Sequence, residues 1–465
     1  MNTKQLLELG VPFGRPLDQA RDFIANFVLR RGNRDEIETL VSQVLTDPEA
    51  FVKEPLRGKF ARALLKNRPK HQPALVPWQK WGDDLDPQSI EQMENACRLP
   101  VAVKGALMPD AHVGYGLPIG GVLATEKAVV PYAVGVDIAC RMKMTVLDIR
   151  FEALARRQDW LRKAIEEETR FGIGASFRQK RRQHAVLDAD WSVSEVTKRD
   201  KDKAWAQLGT SGSGNHFVEF GSFRLRETID GLDPGKYVAL LSHSGSRGTG
   251  AGVCAHYIKI AKQHHKELPR ELSNLAWLDL DSGEGQEYWK AMNLMGEYAA
   301  ANHACIHQHI AEHLRADVML SVENHHNFAW EEEHLIDGIK KTLIVHRKGA
   351  TPAGQGVLGM IPGSMATPGF LVRGKGNQAS LKSASHGAGR VMSRKQALKS
   401  FRWQDAKELL KERGVTLMSA GLDEMPMVYK DIHQVMAAQS DLVDVIGRFD
   451  PKLVKMAPAG ERPED

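Results

Sequence analysis

Long apolar runs are missing: no stretch of the 465 residues approaches the ~20 consecutive apolar positions of a membrane-spanning helix. Residues 1–10, MNTKQLLELG, lack the basic and apolar stretches of a secretory leader. Cysteine is scarce. Cys97, Cys140, Cys254 and Cys305 show no CxxC spacing, which argues against a disulfide framework and fits a reducing cytoplasm. No glycine-rich loop ends in Gly-Lys-Ser/Thr, so there is no P-loop. Neither sign of charge dominates: 63 basic against 58 acidic residues gives a net charge of +5 and a pI near 8.8. That permits an anionic partner such as RNA without requiring one. With 42% hydrophobic residues the chain can bury a sizeable core, as one large domain or two to three average ones.

Histidine is plentiful, at 18 residues. The stretch around which the chain is organised is 131–142, PYAVGVDIACRM. An apolar β-prone run, 129–136, leads into Asp137 and Cys140, three residues apart. Histidines then recur in small polar settings: Asn215-His216, His243-Ser244-Gly245-Ser246-Arg247 and His325-His326-Asn327. Thiolate, carboxylate and imidazole together form a ligand set for Zn, Mn, Fe or Co, whereas a Mg site uses oxygens.

Apolar spacing near 3.6 residues marks 1–70 as helical, with Phe23, Phe27 and Val28 on one face of 17–31 and further helices over 35–45 and 58–65. The proline-punctuated 69–87 is a connection. From Leu99 short β-prone runs alternate with glycines. Asp110 and His112 sit among them, as turn caps or as groups beside a metal site, in equal balance. An amphipathic helix spans 151–169. Arg178, Lys180, Arg181 and Arg182 form a solvated face or, with Phe177 and Trp191 for stacking, a phosphate track. A short strand at 238–241 delivers His243, and Arg247 beyond it reads as a phosphate clamp. In the long helix 286–316, His303, His307, His309 and His313 read as exposed or capped helical residues. Strands are expected at 319–328 and 343–350, a glycine-rich β segment at 361–377, and helices at 403–413 and 429–446. Small residues around His386 leave its imidazole uncrowded and available for chemistry.

Seven strings, VGVDIAC, GTSGSGNHF, HSGSRG, ENHHNF, HRKGAT, IPGSM and SHGAGRVMSR, occur in the order found in the RtcB family of GTP-dependent RNA-splicing ligases. The resemblance runs from about Leu107 to Lys455. It implies an α+β, RtcB-like fold: a mixed β core surrounded by helices over 76–465, with an N-terminal helical extension over 1–75. It implies joining of an RNA 3′-phosphate or 2′,3′-cyclic phosphate end to a 5′-hydroxyl end, in RNA repair or tRNA splicing, with GTP, two Mn²⁺ ions and an archease-like activator. Asp137, Cys140, His216, His243 and His326 would bind the metals, Cys140 bridging, and His386 would accept GMP. Asn215, Phe217, Val218, Glu219, Asn327, Pro362, Gly363, Ser364, Met365, Gly369, Gly387, Ala388, Gly389 and Lys455 would form the guanylate pocket. Arg247 and Arg390 would meet RNA phosphate. The family pattern VGVDIGCGM has glycines where this chain has Ala139 and Arg141. Gly369 stands where relatives often carry a guanylate-contacting serine, and Arg141 is expected to influence the RNA end or the metal; the N-terminal helical region and the ten residues after Lys455 suggest a divergent subgroup. Two other readings stay open: a metal-dependent phosphatase, cyclic phosphodiesterase or nuclease on the same scaffold, and a non-catalytic RNA-binding paralogue.

Overall fold

Helical apolar spacing builds the first part of the chain. In the computed structural model, which describes residues 1, 3–12, 14–67 and 74–461, Arg15–Leu29 buries Leu17, Ala20, Phe23 and Ile24. These pack with Val41 and Val44 of Ile37–Thr46 and Phe60 of Gly58–Asn67. The chain divides into two compact units, Met1–Pro73 and Ala74–Asp465, and the first has this core to itself.

The second unit is α+β, a mixed β core with helices around it. The strands of its two larger sheets are β1 (Trp78–Lys80), β2 (Ala102–His112), β3 (Ile119–Thr125), β4 (Arg141–Leu147), β5 (Phe217–Leu225), β6 (Gly235–Ser244), β7 (Val318–His325), β8 (Asn327–Ile336), β9 (Ile339–Lys348), β10 (Leu358–Ile361), β11 (Gly369–Gly374), β12 (Thr416–Ser419) and β13 (Val443–Met456). One sheet runs β1-β2-β3-β9-β8, and an eight-stranded sheet runs β10-β11-β13-β5-β6-β4-β7 with β12 beside β13. Period-two patterning explains how the larger sheet curls. Met142, Met144 and Val146 point inward with Phe223, Leu241, Val322, Leu371 and Phe449. Val218, Phe220, Val238 and Leu240 point outward against Ile306, Ile310 and Leu314. The last three belong to a long helix, α2 (Gly283–Leu314), which follows α1 (Arg247–His264). The Asn324 amide closes the gap between the sheet's two end strands: its Oδ1 accepts the Met360 N–H at 2.7 Å, and its Nδ2 donates to the Met360 carbonyl at 3.3 Å. No helix among the described residues is long and apolar enough to cross a membrane.

Three local expectations give way. The apolar run 129–136 is not extended; after the two-residue strand Ala128–Val129 it turns into the short helix Pro131–Val134, because proline suits a first helical turn and Gly135 (φ 108) ends it. Helix over 429–446 is confined to Ile432–Ala437, and β-branched Val443 and Val445 begin β13. His303 and His307 are buried, not exposed. Ser242 Oγ lies 2.6 Å from His303 Nδ1 and 2.8 Å from His307 Nε2, and Thr145 Oγ1 lies 2.7 Å from His307 Nδ1, so these imidazoles fasten α2 to the sheet.

Candidate functional site

Register gathers the site. In the order β5-β6-β4-β7, Phe217 pairs with His243, and Arg141 pairs with both Ser244 and His325. The ends of four strands therefore stand side by side, and the residues just outside them, His216, Cys140 and His326, meet His243. The His326 N–H donates to the Cys140 carbonyl at 2.9 Å. Cys140 Sγ lies 3.4 Å from His216 Nε2 and 3.1 Å from His243 Nε2, and His243 Nε2 lies 3.2 Å from His326 Nε2. Asp137 Oδ2 lies 3.1 Å from His216 Nε2, while Asp137 Oδ1 accepts the Ser246 N–H. All five side chains are buried. Gly245 makes room: a Cβ there would come within 2.1 Å of the Asp137 carboxylate.

The donor set fits a divalent cation. His243 Nδ1 donates to the Asn215 carbonyl at 3.1 Å, which leaves the Nε2 lone pair facing Cys140 and His326. Burial, then the neighbouring His216, pushes His243 down to about 3, so its ring is neutral. Asp137 Oδ2 is buried without a hydrogen bond. Burial would raise the Asp137 carboxyl, yet the His216 contacts outweigh it and hold it below its ordinary value. Cys140, His216 and His243 alone bring three ligand atoms within 4.8 Å of one another.

His386 stands beside this cluster, its ring centroid 4.9 Å from that of His326. Its Nδ1 donates to Asp110 Oδ2 at 2.7 Å, and the same oxygen accepts the backbone N–H groups of His386 and Gly387. Asp110 is fully buried. Burial opposes its charge, but His386 and its hydrogen bond hold the carboxyl below its usual value. With the proton fixed on Nδ1, Nε2 keeps its lone pair. Asp110 thus does both, capping the His386–Gly387 backbone and meeting the His386 ring. His112 hangs from the Asp110 carbonyl through Nδ1 (3.1 Å), and burial pushes it down to about 4.

A narrow cavity of about 30 Å³ adjoins these groups, lined by Asn215, Phe217, Glu219, Pro362, Gly363, Ser364, Met365, Thr367, Gly369, Glu424 and Tyr429. Burial pushes Glu219 well above the ordinary carboxylate range. Thr367 Oγ1 accepts the Ser364 N–H at 2.6 Å and shapes the Pro362–Met365 turn.

Not every expected contact reaches the cavity. Val454 and Met456 line it, so Lys455 between them points the other way, 3.7 Å from Glu166 and over the Phe171 ring. Val218 lies in the outer core, and Ala388 packs in the core between the sheets. Gly387 stands near Pro362, while Gly389 (φ 73) lets its backbone pass the Asp110 carbonyl, where a Cβ would come within 2.0 Å. Asn327 bridges the Gly349 N–H (2.8 Å) and the Asp137 carbonyl (3.3 Å). Arg390 is engaged by Glu424, the Asp423 carbonyl and the Met392 carbonyl. Arg247 is buried with Nη1 3.0 Å from His216 Nδ1. Arg141 turns from the thiolate toward α2, reaching Glu323 and the Gly296 carbonyl, as alternation along β4 requires. Phe177 and Trp191 are buried, and Arg181 and Arg182 pair with Asp202 and Glu168, so that basic stretch folds inward in part and offers no stacking face. Glu424, Tyr429 and Thr367 escaped sequence reading because no motif marks them.

Fold and site together define a metal-capable enzyme core with a carboxylate-held histidine at its edge. The family model described as tRNA-splicing ligase RtcB matches residues 92–196 and 188–456, and the chain belongs to that family. It is 35% identical over 400 residues to the RNA-splicing ligase RtcB of Escherichia coli K12, covering 79% of this chain and 94% of that protein. It is 32% identical to the tRNA-splicing ligase RtcB of Methanococcus maripaludis (81% and 92% covered) and 29% identical to that of Thermococcus kodakarensis (81% and 94%). The relatives are named as RNA ligases, and the chain is assigned to that family of ligases.

Proposed function

We propose that the protein joins an RNA 3′-phosphate or 2′,3′-cyclic phosphate end to a 5′-hydroxyl end through a guanylyl-histidine on His386, using GTP and two Mn²⁺ ions, in RNA repair or tRNA splicing. The observation that carries this reading is the Asp110–His386 hydrogen bond beside the Cys/His cluster. His386 Nε2 attacks the α-phosphorus of GTP, and the bond to pyrophosphate breaks. Asp110 keeps the Nδ1 proton in place and stabilises the positive ring. An oxygen of the RNA 3′-phosphate then displaces the imidazole from phosphorus, giving RNA capped by a pyrophosphate-linked guanosine. The 5′-hydroxyl attacks the RNA phosphate and GMP leaves. A cyclic end is first opened by water. Asp137, Cys140, His216, His243 and His326 would hold the cations, which when bound neutralise phosphoryl charge.

Supporting groups follow from the geometry. Glu219 lies buried in the cavity, where burial disfavours its charge, and the adjacent N–H donors of a guanine edge would favour the ionised carboxylate. The cavity's free volume admits little more than a water molecule, so a base enters only when its walls part. Arg247 donates to His216 Nδ1, so the proton of the neutral ring sits on Nε2, and a cation held through Nε2 would require the other tautomer. The test is a labelled 3′-phosphate/5′-hydroxyl RNA pair incubated with each nucleoside triphosphate and Mn²⁺. Joined product with GTP is expected, whereas phosphate release or cleavage without joining would favour a phosphatase or nuclease.

A further inference from the structure

The tip between β2 and β3 presents an aromatic side chain that the chemistry above does not use. Tyr115 is 64% exposed, the most exposed large apolar side chain among the described residues of Ala74–Asp465. Its backbone is held from three sides. Gln92 accepts from the Gly114 N–H (3.0 Å) and donates to the Gly114 carbonyl (2.6 Å), and Lys348 Nζ donates to the Tyr115 carbonyl at 2.5 Å. Gly116, at φ +73, lies so close to the Asn274 carbonyl that a Cβ would meet it at 2.7 Å. The exposed ring therefore rides on a fixed loop.

The Tyr115 ring also has a partner. It stacks on Tyr132, centroids 6.1 Å apart at 28°. Two lysine side chains flank Tyr132: Lys262 Nζ at 5.5 Å and Lys348 Nζ, which burial pushes down to about 7, at 5.9 Å from its centroid. Both ends of the arrangement lead to the reacting groups. Tyr132 lies in Pro131–Val134, which runs into Asp137. Lys348 precedes Gly349, whose N–H donates to Asn327 and whose missing Cβ would stand 3.2 Å from the His386 ring. One lysine side chain separates Tyr115 from the guanylylation centre.

An exposed stacked aromatic suits a single-stranded nucleic acid: the outer face of Tyr115 takes a base, while the partly exposed Lys262 is the ammonium group nearest its phosphate and the buried Lys348 holds the loop. Resting on the RNA-ligase reading, we propose that Tyr115, backed by Tyr132 and flanked by Lys262 and Lys348, is a nucleobase-stacking subsite for an RNA nucleotide near the break. It positions the strand end while His386 and the metal cluster act on its phosphate. The hydroxyl of Tyr115 is not required, because any base offers a π-face and stacking asks only for a ring.

The test is fluorescence anisotropy of the full chain with a labelled single-stranded 3′-phosphate RNA, without GTP. Tyr115→Ala should weaken binding about tenfold and Tyr115→Phe by less than about twofold. Unfolding temperatures of both should match the wild type, since the side chain faces solvent. An abasic nucleotide at one position near the 3′ end should weaken wild-type binding by a similar factor and Tyr115→Ala no further. Wild-type affinity in Tyr115→Ala, an equal loss in Tyr115→Phe, or full additivity with every abasic position would overturn the proposal. If the wild type takes no GMP from GTP while these affinities behave as expected, the guanylylation reading fails and the subsite stands.

Discussion

At Asp110 one buried oxygen accepts three N–H groups, one of them from the His386 ring. Removing its charge while keeping its shape separates orientation from packing. Asp110→Asn should slow formation of guanylylated protein by about 10²-fold or more while leaving the metal content unchanged, followed by single-turnover labelling and elemental analysis. Ala139 offers a second test. It sits at φ 58, in the left-handed region, where the family pattern has glycine, and its N–H donates to the Asn327 carbonyl. A Cβ in that conformation costs about 1 kcal/mol, so Ala139→Gly should raise unfolding free energy by roughly 0.5–1 kcal/mol in a denaturant titration. Residue types marked the cluster well, because thiolate, carboxylate and imidazole are seldom brought together in small polar loops for packing alone. They did not say which way a side chain points. Lys455 and Arg141 both lie next to site residues in sequence, and strand alternation turns both away.

The β8–β9 hairpin shows how one element supports the site from behind. Arg347, 1% exposed, is held by Glu332, the Ser383 hydroxyl and the Leu381 carbonyl, and Glu332 also meets His334. Burial would raise Glu332, but the His334 bond and Arg347 outweigh it and bring it down to about 2. Its folded value lies below its unfolded one, so its contribution is complete above about pH 4.5 and fades as pH falls toward 2. Glu332→Gln should therefore cost about 3 kcal/mol near neutral pH, and the gap from wild type should shrink steadily between pH 4.5 and 2.5 in chemical denaturation. A gap constant with pH would show the loss to be one of shape. The strands expected at 319–328 and 343–350 overlap β7 and β9, whereas β8 was not legible beyond its first two residues. The buried His303–Ser242–His307 network was not legible either, because its partners come from β6 and α2, far apart in sequence.

Across the whole second unit, the decisive fact is register. His216, His243, Cys140 and His326 come from four separate stretches, and only the order β5-β6-β4-β7 aligns their ends. No composition or spacing rule supplies that order, although the motif strings pointed to residues that had to converge. Helices of the N-terminal unit were readable because each has one apolar stripe. The narrow cavity was half readable: its glycine-rich turns stood out, whereas Glu424 and Tyr429 reach it from a segment with no motif. The proposed chemistry turns on one covalent bond. Incubated with GTP labelled at the α-phosphate and Mn²⁺, then denatured and digested, the protein should yield a single acid-labile GMP adduct on the peptide carrying His386, and none from His386→Ala with its metals retained. Joining of RNA with no such adduct, or an adduct on another residue, would contradict it.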